Sequence, residues 1–233
     1  MTILLLVRHG RTTANASGIL AGRLPGVCLD ETGIEQAREA GRRLAGLSVV
    51  AEVSSPMERC LQTADEIRRV REVATAADVI VDEALAEVDY GSWSGRPLKE
   101  LAEEELWRTV QSHPSAATFP EGESMVAMAQ RAVAAIRSRQ DRIADEAGPE
   151  AIWMAVSHGD IIKAILADAL GLHLDHFQRL VVNPASVSVV RYTSARPYVL
   201  ATNTSSGALA DLLPKVAPTS DDAVVGGGAG PGK

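Results

Sequence analysis

The sequence predicts a single α/β domain, and three observations carry that reading. Short unbroken apolar runs such as Ile3-Leu4-Leu5-Leu6-Val7 have the pattern of strands covered on both faces. Between them lie stretches with apolar residues three and four apart, the pattern of one-sided helices. The composition, 46% hydrophobic and 23% charged over 233 residues, is that of an ordinary globular protein, and neither an internal repeat nor a composition shift divides the chain before about residue 205.

Ile3–Val7 is the first strand, which puts Arg8-His9-Gly10 at a strand's carboxyl end. Residues 9–29, rich in Gly, Thr, Asn and Ser, read as a long loop, and such loops in compact domains usually carry function. Asp30 caps a helix whose face is Ile34, Ala37, Gly41, Leu44 and Leu47. A second strand, Val49–Ser54, meets Ser55-Pro56-Met57-Glu58, which has Ser at the cap, Pro at the first helical position and Glu two further on. Arg59 then falls in the first turn, where free N–H groups favour anions, and Met57, Leu61, Ala64 and Ile67 form the buried stripe. A short strand at 78–82, a helix at 98–110, a Pro-punctuated loop at 113–121 and a helix at 123–146 follow. Ala151–Ser157 is a strand broken by His158-Gly159, repeating the opening pattern of strand, histidine and glycine, and Ile161 to Leu170 forms a helix. Strands at 186–192 and 198–202 close the domain, residues 1–204. The Ala-, Pro- and Gly-rich residues 205–233 read as a disordered tail.

The 30 acidic residues outnumber the 23 basic ones, giving a net charge of −7. With no long Lys/Arg run and only 3% aromatics, nucleic-acid binding is excluded as a first reading. Two cysteines, Cys28 and Cys60, are too few for a disulfide scaffold and suit a reducing cytoplasm. The run at 3–7 is too short to span a membrane. Among decoys, the terminal Gly227 to Lys233 spells part of a phosphate-binding loop but lacks its strand, its helix and its Ser/Thr. Neither cysteine has an Arg six residues on, as a cysteine phosphatase requires; Cys60 beside Arg59 is expected to have a lowered pKa. His173 and His176 lack further ligands for a metal.

His9 and His158 each follow a strand, and ligands of open α/β sheets collect at strand carboxyl ends. Arg8 and Arg59 bring two guanidiniums, which match phosphate oxygens bidentately. Each residue alone is commonplace, but together they suggest a phosphate pocket.

Arg8-His9-Gly10-x-Thr12-x-x-Asn15 resembles the opening signature of the histidine phosphatase superfamily, the phosphoglycerate-mutase-like proteins. The resemblance continues in family order through Gly33-x-x-Gln36-Ala37, Ser55-Pro56-Met57-x-Arg59-x-x-x-Thr63, Glu87-x-x-Tyr90-Gly91-x-Trp93-x-Gly95, Pro120-x-Gly122-Glu123-Ser124 and Val156-Ser157-His158-Gly159, covering residues 3–200. The wider text resembles a branch labelled probable phosphomutase. The resemblance implies a three-layer α/β/α sandwich with a mostly parallel sheet. It implies that His9 is a nucleophile forming phosphohistidine and that Arg8, Arg59 and His158 hold the phosphoryl oxygens, helped by Asn15 and the Gly159 N–H. It makes Glu87 the proton donor, with Asp89 as rival, and puts Gly22, Arg23, Glu123 and Ser124 along the substrate. Arg23, Trp93, Trp107 and the 113–124 loop would then select the ester.

Chemistry gives these types their reasons. A neutral imidazole attacks phosphorus only if one nitrogen is free, so the other should donate to a fixed acceptor, here expected to be a backbone carbonyl. Arg8, Arg59 and a protonated His158 would stabilise the equatorial oxygens without a cofactor or metal. The resemblance favours hydrolysis over mutase chemistry, because Glu87 is followed by Val88-Asp89-Tyr90 where true phosphoglycerate mutases have Arg-His-Tyr, and 96–125 holds none of their paired arginines. The expected partner is a small phosphorylated metabolite; a non-catalytic phosphate-binding protein and a metal-dependent hydrolase are the remaining alternatives. Oligomeric state is not legible.

Overall fold

The computed structural model describes residues 2–71, 78–148 and 151–205. The tail expected from residue 205 onward lies, apart from Ser205, outside them. In chain order the elements are β1 (Thr2–Arg8), α1 (Thr13–Ala16), α2 (Glu31–Arg43), β2 (Val49–Ser54), α3 (Glu58–Arg71), β3 (Ile80–Val81), α4 (Leu98–Leu101), α5 (Glu105–Ser112), α6 (Met125–Ala147), β4 (Ala151–Ser157), α7 (Gly159–Leu170), β5 (Val187–Tyr192) and β6 (Pro197–Thr204). The six strands lie in the order β3-β2-β4-β1-β5-β6. The pairings β3-β2, β2-β4 and β4-β1 are parallel, and the last two strands add antiparallel.

Alternation along the central strands builds the three layers. Leu5, Val7, Met154 and Val156 point to one face, where Ala40 and Leu44 at the end of α2 and Cys60, Ala64 and Ile67 of α3 cover them. Leu4, Leu6, Trp153 and Ala155 point to the other, beneath Met128, Ala132 and Ile136 of α6 and Ile161, Ile162 and Ile165 of α7. A strand buried on both faces has no reason to alternate with polar residues, which is why β1 reads as an unbroken run.

Several elements depart from expectation. The 9–29 segment contains α1, capped by Thr12, whose hydroxyl accepts from the Asn15 N–H while the Asn15 side chain accepts from the Thr12 N–H. The expected 98–110 helix is two: α4 stops at Leu101 and α5 starts at Glu105, with Arg96 paired to Glu104 at 2.8 Å. Helix α3 begins at Glu58, not at Pro56, and its buried stripe is Cys60, Thr63, Ala64 and Ile67 in place of Met57 and Leu61. The Ser55 hydroxyl, expected to cap that helix, accepts from the Met57 N–H at 3.3 Å and also lies 2.7 Å from His158 Nε2. Trp93, expected at the substrate, is buried in the core, stacked on Trp107 and edge-on to Phe119.

Two glycine contacts explain motif residues that carry no chemistry. A Cβ on Gly10 would overlap the Gly33 carbonyl oxygen, and one on Gly33 would overlap the Arg11 carbonyl oxygen, so the histidine loop and the start of α2 touch backbone to backbone. Gln36 completes the tie by accepting from the Arg11 N–H at 3.0 Å. Gly33→Ala is therefore expected to cost about 1–3 kcal/mol through overpacking of a site whose neighbours are backbone. Urea unfolding measures this, and an unchanged midpoint would show that the loop yields.

Candidate active site

The two histidines meet because of strand register. In the β1-β4 pairing Arg8 lies opposite Ser157, so the next residues, His9 and His158, leave the sheet side by side, and the His9 N–H donates to the Ser157 carbonyl at 2.9 Å. Their ring centroids are 5.3 Å apart, edge to face. Ser55 leaves β2 on the other side of β4, its N–H bonded to the Val156 carbonyl.

His9 is 3% exposed and lines a cleft with Thr12, Asn15, Gly22, Arg59, Glu87 and Tyr90. Its Nδ1 is 2.7 Å from the Gly10 carbonyl. A carbonyl only accepts, so Nδ1 carries the proton and Nε2 keeps its lone pair. Burial first, then the charges of Arg59 and Arg8, hold the ring well below the ordinary histidine range, so it is neutral at physiological pH.

Arg59 is 1% exposed; one Nη2 donates to the Gly22 carbonyl at 2.8 Å and lies 3.2 Å from His158 Nδ1, while Nη1 has no hydrogen-bond partner among the described residues. A buried guanidinium N–H without an acceptor marks a place for an anion. Thr63 ties this helix to the nucleophile loop, accepting from the Gly10 N–H at 3.0 Å and donating to the Arg59 carbonyl at 2.7 Å.

His158 is fully buried beside His9. Burial, Arg59, His9 and Arg8 push it well below its ordinary value, so the ring by itself is neutral, and the protonated form expected of it requires the charge of a phosphate. Arg59 can only donate, so Nδ1 accepts and the Nε2–H donates to Ser55 Oγ. Glu87 Oε2 is 3.7 Å from the same Nδ1. Burial first and Asp160 second raise the Glu87 carboxyl to about 7, while its Oε1 accepts from the Val88 N–H. Asp160 is buried in the first turn of α7, accepts from the Tyr90 hydroxyl at 3.0 Å and lies 3.7 Å from Lys163 Nζ.

The other expected residues are placed differently. Asn15 and Gly22 line the cleft. Arg8 does not; it is buried, its Nη1 donates to the Val182 carbonyl, and burial lowers it to about 10, so it stays charged behind the histidines. Gly159 opens α7 behind His158 and is likewise absent from the cleft wall. Asp89 caps the turn at the Gly91 N–H and does not line the cleft. Glu123 and Ser124 do not border it either: Ser124 caps α6, and Glu123 is a hub that accepts from Arg23, Arg131 and the Asp89 N–H. Burial opposes ionisation of Glu123, but hydrogen bonds from Arg131 and Asp89 and the charges of Arg131 and Arg23 outweigh it and hold the carboxyl below its ordinary value. Cys60, expected to be acidified by Arg59, is pushed up by burial to about 12, an inert thiol.

Sequence reasoning missed Ser55 as a histidine partner and Arg131 altogether. Arg131 donates to the carbonyls of Ala84 and Glu87 and to both oxygens of Glu123, so it holds the backbone that presents the acid. On its own helix it reads as an ordinary solvated position. Among the described residues no three His, Cys, Asp or Glu side chains gather as a metal cluster, and no helix is long and apolar enough to cross a membrane.

Residues 4–205 match the family model of the histidine phosphatase superfamily (branch 1). The chain belongs to this superfamily. It is similar to a probable phosphoglycerate mutase, GpmB, of Proteus mirabilis (strain HI4320), 32% identical over 193 residues that make up 82% of this chain and 85% of the relative. Among solved structures it is similar to Bacillus stearothermophilus YhfR, with TM-score 0.79 and 25% identity over 88% of this chain and 98% of that one. It is also similar to the mycobacterial glucosyl-3-phosphoglycerate phosphatase Rv2419c complexed with VO3, with TM-score 0.77 and 26% identity over 87% and 99%. The chain is thus an enzyme of the phosphatase and phosphoglycerate-mutase-like kind, on an α/β/α fold.

Arg131→Met leaves the half-buried Glu123 carboxylate and two carbonyls short of donors. It is expected to cost about 1–3 kcal/mol of stability and to lower kcat more than it changes KM. Thermal unfolding and steady-state kinetics measure both.

Proposed function

We propose that this protein is a phosphomonoester hydrolase that works through phosphohistidine on a small phosphorylated metabolite. The observation that carries this reading is the His9 ring, neutral, fixed by the Gly10 carbonyl and with its second nitrogen free in a cleft shared with Arg59 and Glu87. The free thiols Cys28 and Cys60 suit a reducing compartment, and the cytoplasm is the proposed location.

In the first step His9 Nε2 forms a bond to phosphorus as the ester P–O bond breaks, and Glu87 gives its proton to the departing alkoxide. Arg59 donates its vacant Nη1–H to a phosphoryl oxygen, and the buried charge of Arg8 adds to the field that stabilises the transition state. A bound dianion reverses the field felt by His158, so Nδ1 takes up a proton and turns it toward phosphate. In the second step the Glu87 carboxylate removes a proton from water, the water oxygen bonds to phosphorus, the P–N bond breaks, and inorganic phosphate leaves with His9 neutral again. One carboxyl serves as acid and then as base.

Asn15 and Gly22 stand on the cleft wall in support of this reading. Arg23 contributes indirectly, since its Nε donates to the Glu87 carbonyl at 2.7 Å. Mutase activity is the second reading, favoured by the similarity to the probable phosphoglycerate mutase; isomer interconversion assayed beside phosphate release separates the two.

His9→Ala is expected to abolish both turnover and the acid-labile, base-stable phosphoryl label; a label that persists would overturn the nucleophile. The pH profile follows from the two shifted groups. Glu87 is protonated below its midpoint of about 7, and His9 remains neutral well below the ordinary histidine range, so acidification supplies the acid without removing the nucleophile. For alkyl esters kcat/KM should fall about tenfold per pH unit above that midpoint. Glu87→Gln should be slow and lack this fall; a fall retained in the variant would assign it elsewhere.

A further inference from the structure

The cleft is lined by two unlike sets of side chains: His9, Arg59 and Glu87 with Thr12 and Asn15, and the apolar Ile19, Leu20, Ala21 and Leu98. That apolar wall is built in advance. Ile19 and Pro97 form a β-bridge, and the Leu20 N–H to Arg96 carbonyl, Gly95 N–H to Leu20 carbonyl and Leu98 N–H to Gly18 carbonyl bonds, 2.7–3.0 Å long, zip the two segments together. Its side chains are therefore held as a surface by paired backbone.

The cations near this mouth are paired: Arg11 with Asp30, Arg96 with Glu104, and Arg23 and Arg131 together with the one carboxylate of Glu123, all at 2.6–3.0 Å. Lys99 is exposed and does not line the cleft. Among the residues lining the cleft the cation is Arg59, which the phosphoryl group takes, so a substrate carboxylate reaching this wall would lose water with no lining cation left to meet it, which costs more than the contact returns. The Asn15 amide is different: its Oδ1 accepts from Thr12, whereas its NH2 group has no partner among the described residues and can donate to an ester or hydroxyl oxygen.

We propose that the ester hydrolysed here is the monophosphate of an uncharged alcohol with an apolar face, and that Ile19 and Leu98 are the residues that select it. The inference rests on the hydrolase reading above and deepens it. Apolar contact along this wall raises kcat/KM by about fourfold per methylene buried, up to the length of the wall. A carboxylate at the same position gives no such gain.

The test has two arms on the full chain. In the first, methyl, propyl and butyl phosphates are compared with 3-carboxypropyl phosphate, with nitrophenyl phosphate turnover and His9 labelling run alongside. In the second, butylphosphonate and 3-carboxypropylphosphonate, which cannot be hydrolysed, are titrated by calorimetry. The expected result is rising kcat/KM along the alkyl series and at least about tenfold preference for the uncharged member of each matched pair. Ile19→Lys and Leu98→Lys, both at half-buried positions where a lysine stem can lie along the wall, should narrow or reverse that preference. Equal or better handling of the carboxylated partners by the unmodified protein, in turnover and in binding, would overturn the inference while leaving the hydrolase intact. Phosphonate binding with the expected preference but no phosphate release from any ester would sink the hydrolase reading and leave the wall's selectivity standing.

Discussion

The parallel pairing of β1 with β4 is the constraint on which the site depends. With Arg8 opposite Ser157, the first residues past the sheet on neighbouring strands are both histidines, and their separation is set by the spacing of two strands and not by loop conformation. The carboxyl edge of β2 adds Ser55, and α3 behind it presents Arg59. The nucleophile loop is clamped from two sides, by Gly10 against Gly33 and by Thr63 between Gly10 and Arg59. A one-residue slip of β1 would bury Arg8 in place of Val7 and carry His9 to another face of the sheet.

Burying two guanidiniums and two imidazoles on and close behind one cleft has an electrostatic consequence. Both rings are kept neutral by burial and by the positive charge of the arginines, whereas Glu87 keeps its proton near neutrality because burial and the charge of Asp160 outweigh the opposing pull of Arg59 and Arg8. The pocket is therefore preset for a dianion: a nucleophile that needs no deprotonation, a carboxyl that is an acid at the start, and a guanidinium N–H without a partner among the described residues. Asp160, held between the Tyr90 hydroxyl and Lys163, helps keep the acid protonated from below. The hub of Glu123 with Arg23 and Arg131 does mechanical work, holding the backbone that carries Glu87.

Much of this was legible in the chain. The buried strand before Arg8-His9-Gly10, the repeat of strand and histidine at 151–158, and the carbonyl needed to fix the His9 tautomer follow from local pattern and from the valence of imidazole. What was missed shares a cause. In the sequence Ser55 reads as a helix cap and nothing more, Trp93 as a residue that selects the ester, and Glu123 as a neighbour of the substrate. Their actual partners, His158, Phe119 with Trp107, and Arg131, are brought together by folding: Ser55 and His158 stand 103 residues apart in sequence. The break between α4 and α5 was missed because a run of three glutamates is as compatible with a helix as with its interruption.

What the sequence determined by itself was which groups are available and on which kind of element each sits, since strand and helix follow from side-chain periodicity and from the few residues at each cap. What only the tertiary structure decided was the state of those groups: which histidine nitrogen bears a proton, that His158 is neutral, that Arg23 is paired with Glu123 while Arg59 keeps a donor free, and that part of the cleft lining is apolar. Proton affinities and charge pairing depend on burial and on fields from residues distant along the chain, and these come into being only when the sheet closes and water leaves.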